Sequence, residues 1–154
     1  MSRADTIQRV YDEQRLHSQA RAVRLRVARM AVDLTIDIEN APGALAKVAA
    51  AISDAGVNIA AATCLGPDDR AELHILVKHA EAAKHALATS HDVVVTRERE
   101  VVVVEVEDCP GVLADLTRKV AKAGIDLDLV YVATGNRVVF GAPNIPALRE
   151  ALDV

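Results

Sequence analysis

From Val32 to Glu39 the chain alternates apolar and polar residues, with Val32, Leu34, Ile36 and Ile38 set against Asp33, Thr35, Asp37 and Glu39. A period of two predicts a strand with one face in a core, and places Asp33, Asp37 and Glu39 together on a solvated face. A Pro-Gly pair follows, with Pro42 suited to the first turn of a helix. Leu45, Val48, Ile52 and Ala55 then recur at helical spacing, and Gly56 stands where a left-handed residue would end the helix. Val57–Leu65 is apolar enough for a buried strand, which makes Cys64 a small buried hydrophobe. Gly66-Pro67-Asp68-Asp69 reads as a turn, Ala71–Lys78 as a strand, Ala80–Thr89 as a helix and Val93–Thr96 as a fourth strand. The order is βαββαβ.

The chain then repeats itself. Setting Glu39–Ile59 over Glu107–Leu127, an offset of 68, aligns seven identical residues in 21 positions, among them Pro42/Pro110, Gly43/Gly111, Leu45/Leu113 and Gly56/Gly124. The second copy predicts a strand over 101–107, a helix over 111–123, a strand over 125–133, a turn at Gly135-Asn136 and a strand over 137–141. A short helix over Pro146–Leu152 follows Asn144, with no obvious final strand. Three segments result: an extension over 1–29, a first unit over 30–98 and a second over 99–154. The fold class is α+β, two ferredoxin-like units with antiparallel sheets and helices on one face. Units of about 60 residues are marginal alone and should pack together or across a dimer. The open edge left by the missing strand favours a homodimer.

Charge separates the extension from the body. Residues 1–29 carry seven Arg against Asp5, Asp12 and Glu13, whereas the remainder has 11 basic and 19 acidic side chains. Leu16, Ala20, Val23, Val27 and Met30 form an apolar stripe that predicts a helix in this arm, with disorder or an over-extended reading frame as the alternatives. Its acidic residues fit a mitochondrial leader poorly. With no Trp, one Phe and two Tyr, the chain lacks the stacking platforms of most single-strand nucleic-acid readers, so nucleic acid is not the expected partner. The longest uncharged stretch, Ala55 to Pro67, has 13 residues, short of a membrane span of about 18. Two cysteines build neither a disulfide framework nor a CxxC site, which predicts a cytoplasmic location.

The loops Glu39-Asn40-Ala41-Pro42-Gly43-Ala44-Leu45 and Glu107-Asp108-Cys109-Pro110-Gly111-Val112-Leu113 resemble the signature of the ACT domain family. In that signature an acidic or amide residue, any residue, Pro-Gly, any residue and Leu join the first strand to the first helix. The exits Ala55-Gly56-Val57-Asn58-Ile59 and Ala123-Gly124-Ile125-Asp126-Leu127 resemble that family's turn into its second strand. The resemblance covers residues 30–154 and is similar to stand-alone tandem proteins of the family. It implies free amino acids as ligands, held where one unit's loop meets a neighbour's second strand, so that Asn58, Ile59, Asp126 and Leu127 complete the pocket.

The physics of the loop agrees with that implication. A helix start offers unpaired N–H groups and a partial positive charge, where a carboxylate docks without a basic side chain. Gly43 and Gly111 permit close approach, and Asn40 and Asp108 are placed to cap the turn or to hold an ammonium. A strand-to-helix connection also wants Pro and Gly on conformational grounds alone, so a purely structural reading stands beside the binding one. The loops differ, Asn40 and Ala41 being replaced by Asp108 and Cys109, so the two sites need not be equivalent.

Other chemistry is weaker. Cys109 lies at a helix start but has no His near it in sequence, which favours a pocket-lining side chain over a nucleophile. His74, His79, His85 and His91 lack ligand spacing and read as surface residues, so no metal is expected. Neither glycine fingerprint for phosphate or dinucleotide occurs, so no cofactor is expected. The reading is a non-enzymatic, amino-acid-binding regulatory protein; the alternative is a detached regulatory subunit of an amino-acid biosynthetic enzyme, with that enzyme as partner.

Overall fold

A computed structural model describes residues 26–27, 31–89 and 92–154. Their elements run β1 (Arg26–Val27), β2 (Ala31–Glu39), α1 (Ala44–Asp54), β3 (Ala61–Leu65), β4 (Arg70–Val77), α2 (Ala80–Leu87), β5 (Val93–Glu105), α3 (Val112–Lys122), β6 (Leu129–Ala133), β7 (Arg137–Gly141) and α4 (Ile145–Leu152). The α+β class and the βαββαβ order are as the hydrophobic pattern predicts.

β5 organises the molecule. The expected strands over 93–96 and 101–107 are one strand of 13 residues. Its first part pairs antiparallel with β2, from Val93 opposite Ile38 to Val101 opposite Ala31, and its last residues pair with β7, from Val102 opposite Phe140 to Glu105 opposite Arg137. The sheet order is therefore β3-β4-β2-β5-β7-β6. The polar run Thr96–Glu100 does not break the strand because its charges find partners on both sides. Glu98 meets Lys84 of α2 at 2.6 Å, Glu100 meets Arg149 of α4 at 2.5 Å, and Arg99 meets Asp128 at 2.8 Å.

The place of the second unit's missing strand is filled from upstream. Arg26 and Val27 pair antiparallel with Glu105 and Val104 on the edge of β5 that carries β2. Val27 is thus in a strand and not in the predicted helix; Leu16, Ala20, Val23 and Met30 lie outside the described residues. The open edge that favoured a second copy is occupied there by the chain itself.

Three clusters make the core. Leu34, Ile36, Ile38, Leu73 and Ile75 of the first sheet pack under Val48 and Ile52 of α1 and Ala83 and Leu87 of α2. Val102, Val104, Val138 and Phe140 pack under Leu116, Val120, Leu148 and Leu152 of α3 and α4. The opposite face of the sheet closes on itself. Ala31, Ala61, Leu76, Val101, Val103, Tyr131, Ala133 and Val139 form a third cluster from both units. There the edge strands meet, and Thr134 donates from its backbone N–H to Ala60 O at 3.3 Å and from Oγ1 to the same oxygen at 2.8 Å.

Three expectations are corrected. Asp33, placed on a solvated face by the alternation, is fully buried because the second unit covers that end of β2. His74 is buried on β4 for the same reason, whereas His79 and His85 are exposed and His91 lies outside the described residues. Cys64 is exposed because β3 is an edge strand. Strand β3 is also shorter than the apolar run Val57–Leu65, whose first residues leave α1 through a left-handed Gly56, with Val57 N–H bonded to Ile52 O at 3.1 Å. Among the described residues, no helix is long and apolar enough to cross a membrane.

Candidate functional site

Both strand-to-helix loops are type II turns. Ala44 N–H donates to Ala41 O at 3.1 Å across Pro42 and Gly43, and Gly43 has φ +88° and ψ −8°. Val112 N–H reaches Cys109 O at 3.5 Å across Pro110 and Gly111, with φ +94° and ψ −17° at Gly111. Pro42 therefore precedes α1 rather than entering its first turn, since a residue with positive φ ends the helical run before it. Gly43 and Gly111 are themselves the N-cap residues, and no side chain caps either helix. Neither Asn40 nor Asp108 plays the capping part. The start of each helix is left as bare backbone, with the partial positive charge that such an end carries.

In the second unit this bare start opens on a cavity of about 270 Å³. One wall is Val106–Cys109 with Val112 and Leu113; the other is the β6–β7 hairpin, Val132, Ala133 and Gly135–Val138. Of the residues expected at a site, the structure gathers Asp108, Cys109, Val112 and Leu113 here, with Pro110 and Gly111 forming the turn between them. Leu113 is exposed because its face looks into this cavity, while Val112 turns into the core. Asp108 and Cys109 are both exposed. The hairpin wall was readable only as a turn at Gly135-Asn136, because nothing local shows which loop a hairpin will face.

The first unit uses the same space differently. Asn40 spans from its loop to the β3–β4 turn, its Nδ2 donating to Gly66 O at 2.9 Å and Asp68 O at 2.7 Å, while its backbone N–H donates to Asp69 O at 2.8 Å. A side chain on Gly66 would come within 2.9 Å of Asn40 Cγ, so the contact is close. The Asn40 amide is thus committed to a neighbouring turn. Leu45 is exposed like its counterpart Leu113, and Ala44 takes its place against the core beside Val48 and Ile52.

Asn58, Ile59, Asp126 and Leu127 sit beyond the far ends of α1 and α3 and line neither loop of their own unit. Ile59 and Leu127 pack against the two cores, and Asn58 and Asp126 are exposed. Across the units the distance closes: the Thr134–Ala60 bonds set the segment after Asn58 and Ile59 beside the hairpin that walls the second-unit cavity.

A second group of polar residues escaped the sequence pattern altogether. Asp33 accepts from His74 Nδ1 at 2.9 Å and from the Tyr131 hydroxyl at 2.8 Å. Burial, then the Asp33 charge, pushes the Tyr131 hydroxyl far above the ordinary tyrosine range. The Asp33 hydrogen bond raises His74 above its ordinary value against the opposing effect of burial. A signal existed in His74, one polar residue within the apolar run Leu73–Val77, but the Asp33 it bonds lies on another strand, and Tyr131, which bonds the same carboxylate, lies in the other unit. Among the described residues, no group of three or more His, Cys, Asp or Glu stands together in a way that would hold a metal ion.

Residues 32–89 match the family model of the ACT domain. No curated protein matches the sequence. The fold is similar to the crystal structure of protein BT0572 from Bacteroides thetaiotaomicron, at 26% identity and TM-score 0.69, covering 84% of this chain and 88% of that one. It is also similar to the ligand-free regulatory subunit of aspartate kinase from Thermus thermophilus, at 19% identity and TM-score 0.67, covering 86% and 97%. The corresponding subunit from Thermus flavus aligns at 20% identity and TM-score 0.63, with the same coverage of 86% and 97%.

Proposed function

We propose, from the match of residues 32–89 to the ACT domain model, that the chain is a non-enzymatic regulatory protein of two such units, which binds a free amino acid at the loop of the second. The observation that carries this reading is the cavity at Asp108 and Cys109. An amino acid presents a carboxylate and an ammonium a short distance apart. The uncapped start of α3 suits the first, and the Asp108 carboxylate suits the second. A volume of about 270 Å³ lies just below the range of about 300–1,000 Å³ for drug-sized ligands, as a small metabolite requires. Because Asn40 bridges the equivalent space in the first unit, the reading is one ligand per chain. Binding would draw the loop and the β6–β7 hairpin together, and so alter the surface a partner meets.

The test is a thermal-shift panel of the common amino acids on the full chain, followed by titration calorimetry for stoichiometry. A true ligand at a hundred times its dissociation constant adds about 2.7 kcal/mol. At about 2–4 °C per kcal/mol for this size, the midpoint rises by roughly 5–11 °C. Cys109→Phe, which fills the cavity from an exposed position, should abolish the shift, Asp108→Ala should weaken it, and Asn40→Ala should leave it in place. If no amino acid moves the parent's midpoint, the amino-acid reading fails.

The likeness to a free-standing regulatory subunit of aspartate kinase favours the second reading, a detached regulatory subunit of an amino-acid biosynthetic enzyme. A pull-down returning such an enzyme from cytoplasmic extract supports it. A ligand-responsive homodimer without other partners supports the first. Exposed Leu65 and Val132 on the edge strands are what a second copy would cover, and light scattering reads the mass.

A further inference from the structure

The face on which the two units meet is apolar except at one place. Fully buried Asp33 on β2 holds His74 of its own unit with Oδ1 and Tyr131 of the other unit with Oδ2, at 2.9 and 2.8 Å. Thr35 Oγ1 stands 3.5 Å from the same carboxylate and 3.4 Å from His74 Nδ1. The second ring nitrogen of His74 faces Glu72 Oε1 at 3.1 Å. From β3 the residue opposite His74 is Thr63, which does not titrate. From β5, Arg99 Nε approaches Asp33 at 4.0 Å while its Nη1 is held by Asp128 at 2.8 Å, and Arg97 reaches Asp128 at 3.8 Å. From β6, the Tyr131 ring lies 6.5 Å from the imidazole, centre to centre.

Each ring nitrogen of His74 therefore points at a carboxylate oxygen. Neutral imidazole has one N–H and would turn a lone pair on one of them; only the imidazolium donates to both. A carboxylate with no exposure depends on such partners, since water cannot reach it while β6 covers β2. When the proton leaves His74, Asp33 loses its nearest positive charge and keeps only neutral donors, the Tyr131 hydroxyl, Thr35 Oγ1 at 3.5 Å and at most the one N–H left on His74, with an arginine at 4.0 Å. Hydrating Asp33 then requires β6 to lift from the first unit's sheet.

We propose that Asp33, His74 and Tyr131 are a proton-dependent latch between the two units, fastened when His74 is protonated and loosened when it is not. The strand it fastens is the one that continues through Val132 and Ala133 into the cavity wall, so the latch sets how firmly that wall is held. The latch does not depend on what the cavity binds. The groups that set it come from β2, β4, β5 and β6, so both units contribute to one titration.

The experiment follows two reporters on the full chain by nuclear magnetic resonance, between pH 5.5 and 9. One is the His74 ring; the other is the exchange protection of the Thr134 amide, which bonds to Ala60 across the units. The Ala83 and Ile125 amides, bonded inside one unit each, are the controls. The expected result is a His74 titration above the ordinary histidine value, with Thr134 protection falling several-fold through it while the controls hold. Asp33→Asn keeps the shape of the carboxylate and removes its charge. In that variant His74 should titrate below its value in the parent, with Glu72 as the one carboxylate still facing it, and Thr134 protection should lose its pH dependence. Should that variant not fold, His74→Gln tests the same point, since it must remove the pH dependence of Thr134. A His74 titration that is not raised in the parent, or a Thr134 amide that tracks Ala83 and Ile125 throughout, overturns the latch.

Discussion

Replacing Tyr131 by Phe removes one oxygen from a side chain that is only 8% exposed and leaves its ring in the inter-unit cluster. The lost group donates a 2.8 Å bond to Asp33, which has no exposure at all. Two effects oppose each other. Phe escapes the cost of burying a hydroxyl, but the carboxylate is left one donor short where water does not reach. Thr35 at 3.5 Å and Arg99 Nε at 4.0 Å are too far to replace it without movement. Hydrogen bonds to charged groups contribute about 1.5–3 kcal/mol, and the unsatisfied partner here is charged and buried. The expected loss is about 2 kcal/mol. For a chain of this length that lowers the melting midpoint by roughly 4–8 °C. Calorimetry at pH 6 measures it, with urea melts to check that the denaturant slope is unchanged. Val130→Ala, on an exposed position of the same strand, serves as the control and should stay within about 0.5 kcal/mol. A Tyr131→Phe midpoint indistinguishable from the parent would show that the hydroxyl does not support Asp33, and the inter-unit reasoning would fail with it.

The pH dependence has a definite sign. His74 is raised in the folded chain, so its contribution is present in full below the unfolded value of about 6.5 and is lost as pH rises through the folded value; the stability advantage of the parent over His74→Gln should shrink in that direction. Gly111→Ala should cost about 1–3 kcal/mol, because nothing lies within 4 Å of the new methyl and the whole cost is a non-glycine residue at φ +94°; chemical denaturation reads it. Asn40→Ala should cost about 1 kcal/mol, the two bonds it loses being exposed, and should speed amide exchange in the turn at residues 66–69.

What the sequence made legible is what depends on neighbours in sequence. The alternation at Val32–Glu39, the helical spacing at Val48 and Ile52 and the glycine stops at Gly56 and Gly124 are local, and all produced the elements they implied. Where the third dimension intervenes, the same rules misplace residues. Thr96–Glu100 looks like the end of a strand because four charges in a row suggest solvent. Helices from both units supply partners for Glu98 and Glu100, and the strand runs on. Asp33 and Asp37 look alike in the alternation, yet Asp37 reaches Arg70 at a half-exposed edge and Asp33 is sealed under Tyr131.

The repeated loops carry the same point into function. Their Pro-Gly pairs are fully explained by the type II turn, whose second central residue needs positive φ, and so do not by themselves argue for a ligand. What separates the two copies is the residue two positions before the proline and the turn it faces. Asn40 has donors, and the β3–β4 turn offers the carbonyls of Gly66 and Asp68 within reach, so loop and hairpin are tied together. Asp108 is an acceptor without donors, and the carbonyls of a facing turn give it nothing to bind. A single change from amide to carboxylate thus removes the tie and leaves a charge beside a bare helix start. The asymmetry noticed between Asn40 and Asp108 in the sequence becomes, in the folded chain, a loop tied to its facing turn in one copy and a carboxylate lining a cavity in the other.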